Sequence, residues 1–360
     1  MAPTAIADLV NHDHNADSRE HTDVLKTIDP HFAIEEHPID EYEPIRAIVV
    51  GGGISGIIAS ILLPAKVPNL DLVVYERNSD IGGVWHTNIY PGVRCDVPAH
   101  AYQATFAPST TWTEAYATGP EIFAYWKRIA DQYEVRKYIR TCHTVTSAEW
   151  SEEKAKWIVK IHSDEGEFVD EANFLITATG HFSDPKLPDY PGIKDFKGHL
   201  RHTSNWDPTS TRKTSKVASR IDHYARNKTW VAAPIGGEDL ADFVADNIED
   251  ARLSPEKYLR FRKALEAKLF SRFGGIFKDG PQNAAAEESI RKLMKARLSG
   301  SDELAEEIIP EFSVGCRRLT PGPGYLEALT ADNVRYIRDH IAELTETGIR
   351  TVDGRPFSPS

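Results

Sequence analysis

An α/β fold, with a parallel sheet begun by a β-turn-α-β unit, is what this sequence predicts, and three observations predict it. "IRAIVV" at residues 45–50 is a β-branched run of the kind that forms a strand buried on both faces. "GGGISG" follows at once and leads into "IIASILL", so the apolar run breaks at glycines and resumes as a helix. "LDLVVYER", from Leu70, reads as the second buried strand.

The remaining elements follow in order. Residues 1–44 are polar, acidic and His-rich without strand or helix periodicity, and are expected to form a flexible arm. The spacing of His12, His14, His21, His31 and His37 is irregular, so solvated histidines are expected there and no metal site. A helix is expected over 119–133, strands around "KWIVKIHS" and "NFLITATG", and a Pro-rich connection over 184–192. Residues 235–309 read as helical and charged. Within them Tyr258, Phe261, Leu265, Leu269 and Phe273 recur every three or four positions, the apolar face of an amphipathic helix that covers a core. These shifts divide the chain into 1–44, 45–195, 196–234, 235–309 and 310–360.

Composition narrows the partners. The formal net charge is −12, with the excess acid spread along the chain, which argues against a phosphate backbone as the main ligand. The three cysteines, Cys95, Cys142 and Cys316, have neither metal-ligand spacing nor a disulfide framework. With no signal-like apolar run at the N-terminus, and glycines interrupting "AIVVGGGISGIIASILLPA", the sequence points to a cytoplasmic protein without a membrane span.

The glycines carry the chemistry. Gly51 permits a tight turn, Gly53 lets backbone N–H groups approach a pyrophosphate, and Gly56 lets helix and strand pack closely. The diphosphate would sit on the helix N-terminus, where free N–H groups and the helix dipole favour an anion. Glu76 ends the second strand 20 residues after Gly56, placed to accept hydrogen bonds from ribose hydroxyls. This is a Rossmann-like dinucleotide site.

The next segment, "RNSDIGGVWHTNIYPGVRCDVPAHAYQ", resembles the flavin-cradling segment of class B flavoprotein monooxygenases, above all the Baeyer–Villiger monooxygenases. The resemblance assigns Gly83, Val84, Trp85, His86, Thr87, Arg94, Cys95, Asp96, Val97 and Tyr102 to the FAD site, with Asp96 beside the flavin. "FKGHLRHTSNWD" is similar to the F-x-G-x-x-x-H-x-x-x-W-[PD] signature of that family, matched by Phe196, Gly198, His202, Trp206 and Asp207. In the family this linker lies between flavin and nicotinamide domains, and its His couples cofactor movements. "VGCRRLTPGPGYLEALTADNV" resembles the segment with the catalytic Arg; Arg318 is the best match and Arg317 the alternative.

The resemblance implies FAD and NADPH as cofactors, dioxygen and a ketone as substrates, and an ester or lactone as product. Arg318 would stabilise the anionic oxidant and polarise the ketone oxygen, with Asp96 holding the guanidinium and His202 as the coupling residue. The Cys-Arg-Arg-Leu-Thr-Pro-Gly-Pro-Gly-Tyr run leans toward fungal secondary-metabolite enzymes acting on polyketide or terpenoid ketones.

Two departures accompany it. Arg226 and Trp230 match the family's later segment, with Arg226 as the 2′-phosphate contact and Asn227 where a Ser or Thr is usual. Yet only 20 residues separate Trp206 from Arg226, and no second G-x-G-x-x-G lies between them. A βαβ unit takes roughly 30 residues or more, so a reduced, incomplete NADP-binding domain and a weak or lost NADPH site are expected. The family's last flavin-domain strand and helix are also unmatched after "GIRTVDGRPFSPS", so a shortened chain with an open sheet edge is expected. Two other functions stay open: an inactive flavin-binding relative, and an N- or S-oxygenating enzyme.

Overall fold

Alternate residues of β1 (Ile45–Val50) feed two different cores. Ala47 and Val49 face one cluster with Ile57, Val74, Ile122 and Trp126; Ile48 faces another with Val73, Val159 and Ile161. A strand buried on both sides must be central, and β1 is. The computed structural model describes residues 43–360 apart from 183, 208–217, 234–236, 354–355 and 358–360. The arm expected over 1–44 lies almost wholly outside them, and the elements described belong to the unit Ile45–Ser360.

The first half is the predicted β-turn-α-β unit with additions. Helix α1 (Ile54–Lys66) carries the chain back to β2 (Leu70–Tyr75), which pairs in parallel with β1 from Ile45↔Leu70 to Val50↔Tyr75. After a one-turn α2 (Val84–Thr87) and a loop comes α3 (Gly119–Gln132), whose Ile122, Tyr125, Trp126 and Ile129 are buried at helical spacing. Then follow β3 (Ile139–Arg140), β4 (Thr144–Ser151), β5 (Lys156–Ser163), β6 (Gly166–Ala172) and β7 (Phe174–Thr177). The main sheet has the order β3-β2-β1-β7, and β4-β5-β6 form an antiparallel meander packed across it. The sequence signalled only β5 and β7 of this group. The strands β4 and β6 are too polar to announce themselves and are held by pairing to β5 on either side.

The second half is stitched together over long range. Strands β8 (Ile221–Tyr224) and β9 (Val231–Ala232) precede the helices α4 (Gly237–Ala251), α5 (Pro255–Phe270), α6 (Pro281–Arg297) and α7 (Asp302–Ile308). Beyond them lie β10 (Thr320–Pro321), α8 (Tyr325–Leu329), β11 (Val334–Ile337), β12 (Ile341–Leu344), β13 (Ile349–Thr351) and β14 (Pro356–Phe357). Parallel pairs β8–β11 and β9–β10 join residues 196–234 to the C-terminal segment. Around Trp230, Met294, Leu298 and Leu326 they build a separate core. No described strand of 310–360 joins the main sheet; that segment touches residues 45–195 through the Arg318 side chain and through the Leu344 N–H, which donates to the Pro191 carbonyl.

Helix α5 starts where Ser254 accepts from the Lys257 N–H and buries Tyr258, Phe261 and Leu265 as its spacing requires. Phe273 departs from that reading. The helix ends at Phe270 before the Gly274–Gly275 pair, and Phe273 sits on a 3₁₀ turn, exposed.

A buried polar network seats α5 on the loop between α2 and α3. Tyr258 Oη accepts from Gln103 Nε2 at 3.0 Å, lies 2.6 Å from His100 Nδ1 and donates to the Ser109 carbonyl. Gln103 also donates to the His100 carbonyl and accepts from Ser109 N and Trp112 Nε1, so its amide is fully used. Burial holds the His100 imidazole down at about 4, from an ordinary value of 6.5, with the Arg252 and Arg262 charges adding to it. The unfolded chain protonates this ring near pH 6.5 and the folded chain only near 4. Its stabilisation is therefore whole above pH 6.5 and is lost as pH falls toward 4. Roughly 3 kcal/mol should disappear across that window. Urea unfolding of the His100→Gln variant at neutral and acid pH should show a flatter dependence; a slope equal to the parent's would refute the assignment.

Candidate functional site

The glycine elbow between β1 and α1 is built too tightly for side chains. A Cβ on Gly51, whose φ is +109°, would stand 2.5 Å from the Ala178 carbonyl oxygen at the end of β7. One on Gly56 would stand 2.0 Å from the Gly51 carbonyl. Gly53 caps α1 without a side-chain acceptor, so the first helical N–H groups stay open to a ligand. Gly83 crosses close above it: a Cβ there would lie 3.0 Å from the Gly53 Cα.

Gly51, Gly53 and Gly83 line a cavity of about 400 Å³ with Ile54, Ser55, Glu76, Val84 and Thr87, closed on the far side by Thr144, Val145 and Thr179. Glu76 is buried at its edge. Its carboxylate accepts from Gly52 N at 2.6 Å and from the backbone and side-chain nitrogens of Asn78. It thus shapes the elbow as well as facing the cavity, a structural task the spacing alone did not announce.

Arg318 and Asp96 meet, although 222 residues separate them. Arg318 Nη2 lies 2.5 Å and Nε 3.2 Å from Asp96 Oδ2. The carboxylate raises the guanidinium pKa further above its ordinary value. Asp96 is largely buried while Arg318 is 68% exposed, so the anion is fixed and the cation is presented outward. Arg317 points elsewhere, over the Phe312 ring.

Beside Asp96, Trp85 Nε1 donates to Tyr102 Oη at 3.2 Å with the rings edge to face. Cys95 is buried and its thiol is pushed up to about 11 by that burial, which keeps it protonated. Val97 packs on the main core, His86 stacks near Phe123, and Arg94 pairs with Glu114.

Other residues singled out by sequence stay apart. Among the described residues His202 makes local bonds only, its Nδ1 accepting from Ser204 N, and it does not line the cavity. In the same signature Gly198 lies under the Phe196 ring, where a Cβ would come within 2.3 Å, and Asp207 pairs with Arg201. Arg226 and Asn227 occupy an exposed turn after β8, outside the cavity. Sequence reasoning missed the far wall of the cavity, Thr144, Val145 and Thr179, because only the crossing of β4 and the end of β7 brings them there. Among the described residues no group of His, Cys, Asp or Glu has metal-site geometry, and no helix is long and apolar enough to cross a membrane.

Residues 49–118 match the family model described as an NAD(P)-binding Rossmann-like domain. The chain is 32% identical over 338 residues to the FAD-binding monooxygenase tazF of Aspergillus terreus, covering 86% of this chain and 60% of that protein. A Baeyer–Villiger monooxygenase of Streptomyces coelicolor is 27% identical, over 87% of this chain and 62% of its own length. Among solved structures, a steroid monooxygenase bound to NADP superposes with a TM-score of 0.70 at 26% identity, over 88% of this chain and 69% of the other. The chain spans about three fifths of the length of the curated relatives it matches. Over most of its length, then, the chain is similar in sequence and in fold to FAD-binding monooxygenases, a Baeyer–Villiger enzyme among them.

Proposed function

We propose that this chain binds FAD at the glycine elbow and serves the oxidation of a ketone to an ester or lactone, with NADPH and dioxygen as co-substrates. The observation that carries the reading is the Arg318–Asp96 pair, set beside the Trp85–Tyr102 contact and the elbow segment. Bound there, FAD would supply the electron transfer and the activation of dioxygen that no side chain provides. The residues present fit it. Gly51, Gly53 and Gly83 leave room for a diphosphate at the open start of α1, and Glu76 stands where ribose hydroxyls would lie. Arg318 is a permanent cation held at one end by Asp96, free at the other to polarise a carbonyl oxygen and steady developing negative charge.

The resemblance of the Cys316–Tyr325 run to fungal secondary-metabolite enzymes makes a polyketide or terpenoid ketone the substrate class of this reading. NADPH is the weaker half of the reading, since Arg226 and Asn227 are exposed and do not line the cavity. Flavin absorbance of the purified chain, first titrated with FAD and then given NADPH without oxygen, tests both. Flavin should bind weakly and bleach slowly. A chain that stays colourless in excess FAD overturns the reading, and rapid bleaching at low NADPH overturns the expectation of a damaged nicotinamide site.

A further inference from the structure

The corner between α5 and α6 exposes its apolar side chains. Phe270, Phe273, Ile276 and Phe277 are 68, 57, 52 and 59% exposed within eight consecutive residues. The rings of Phe273 and Phe277 lie 5.7 Å apart edge to face, so they form one patch rather than scattered contacts. Lone exposed apolar residues are ordinary on a protein surface, but four within one short corner are not.

The charge around the patch says what fits it. Residues 255–279 hold seven basic and three acidic residues in a chain whose net charge is −12. Lys263, Lys268, Arg272 and Lys278 are exposed. Arg272 pairs with Asp239, but among the described residues Lys263 and Lys278 have no acidic partner, and Lys268 lies over the Phe243 ring rather than against a carboxylate. Joining the patch to its own copy would set these cations against one another. An anionic surface with an apolar interior meets both needs, taking the aromatic rings below its headgroups and pairing with the lysines. Elsewhere the acidic surface would be repelled, which orients the molecule by this corner.

We infer that the α5–α6 corner, Phe270–Lys278, docks peripherally on an anionic lipid surface. The inference stands apart from the oxygenase reading, since it uses no residue of the flavin elbow or of the Arg318–Asp96 pair.

The test is co-sedimentation of the full chain with phosphatidylcholine vesicles, with and without phosphatidylserine. The parent should bind the serine-containing vesicles, weaken with added salt, and leave pure phosphatidylcholine largely free. The double variant Phe273→Ser/Phe277→Ser and the double variant Lys263→Glu/Lys278→Glu should each bind about tenfold more weakly or worse. All four positions are exposed, so circular dichroism should be unchanged. Absence of binding by the parent, or equal binding by folded variants, would overturn the inference. So would a parent that forms dimers which the Phe variant abolishes while vesicle binding is absent, since the patch would then be a face between copies.

Discussion

Gly51→Val should leave a chain that neither holds FAD nor reaches the parent's stability. A β-branched residue at φ +109° is strained wherever it occurs, and here its Cβ would also lie 2.5 Å from the Ala178 carbonyl oxygen. Relief requires moving the end of β7 or the start of α1, and both carry the main sheet's order. A loss of roughly 3–5 kcal/mol is expected, read as a lowered urea midpoint, together with no quenching of flavin fluorescence on titration. Gly92→Ala is the matching control: φ there is also positive, but a Cβ would meet nothing within 4 Å. It should cost only about 1 kcal/mol. If Gly51→Val bound FAD like the parent, the elbow would not be the diphosphate site.

Arg318→Ala separates binding from chemistry. The guanidinium is mostly exposed and touches Asp96 through two nitrogens, so removing it should barely disturb the fold. Ester formation should fall about 10²–10³-fold, the usual loss when a fixed charge at a developing anion is removed. NADPH should still be consumed, and hydrogen peroxide should appear in place of ester. Arg318→Lys should recover little, because a single ammonium cannot keep two contacts to Asp96 and reach a carbonyl as well. Arg317→Ala should leave the ester yield near the parent's, since that side chain lies over Phe312. Unchanged product in Arg318→Ala would remove the residue from its assigned role.

Much of the first half was legible in the letters. The run from Ile45 to Arg77 names two buried strands, a glycine elbow and a helix. Each is a local preference that needs no distant partner to be recognised: β-branching, tolerance of positive φ, apolar periodicity. The same holds for the buried face of α5 up to Leu265. It stops holding at Phe273, where the spacing continues but the helix does not: the helix ends at Phe270, and apolar periodicity does not register where an element stops.

By itself, then, the sequence determined the β-turn-α-β unit and the identities of the glycines, since hard sterics at Gly51 and Gly56 admit no other side chain. Tertiary structure alone decided that β4 and β6 exist and that β8 and β9 are partnered by β11 and β10. It also chose which of two adjacent arginines reaches Asp96. Those are pairings between distant stretches of chain or between polar strands, settled by which backbone or charge lies opposite once the chain is folded, and no local pattern encodes that.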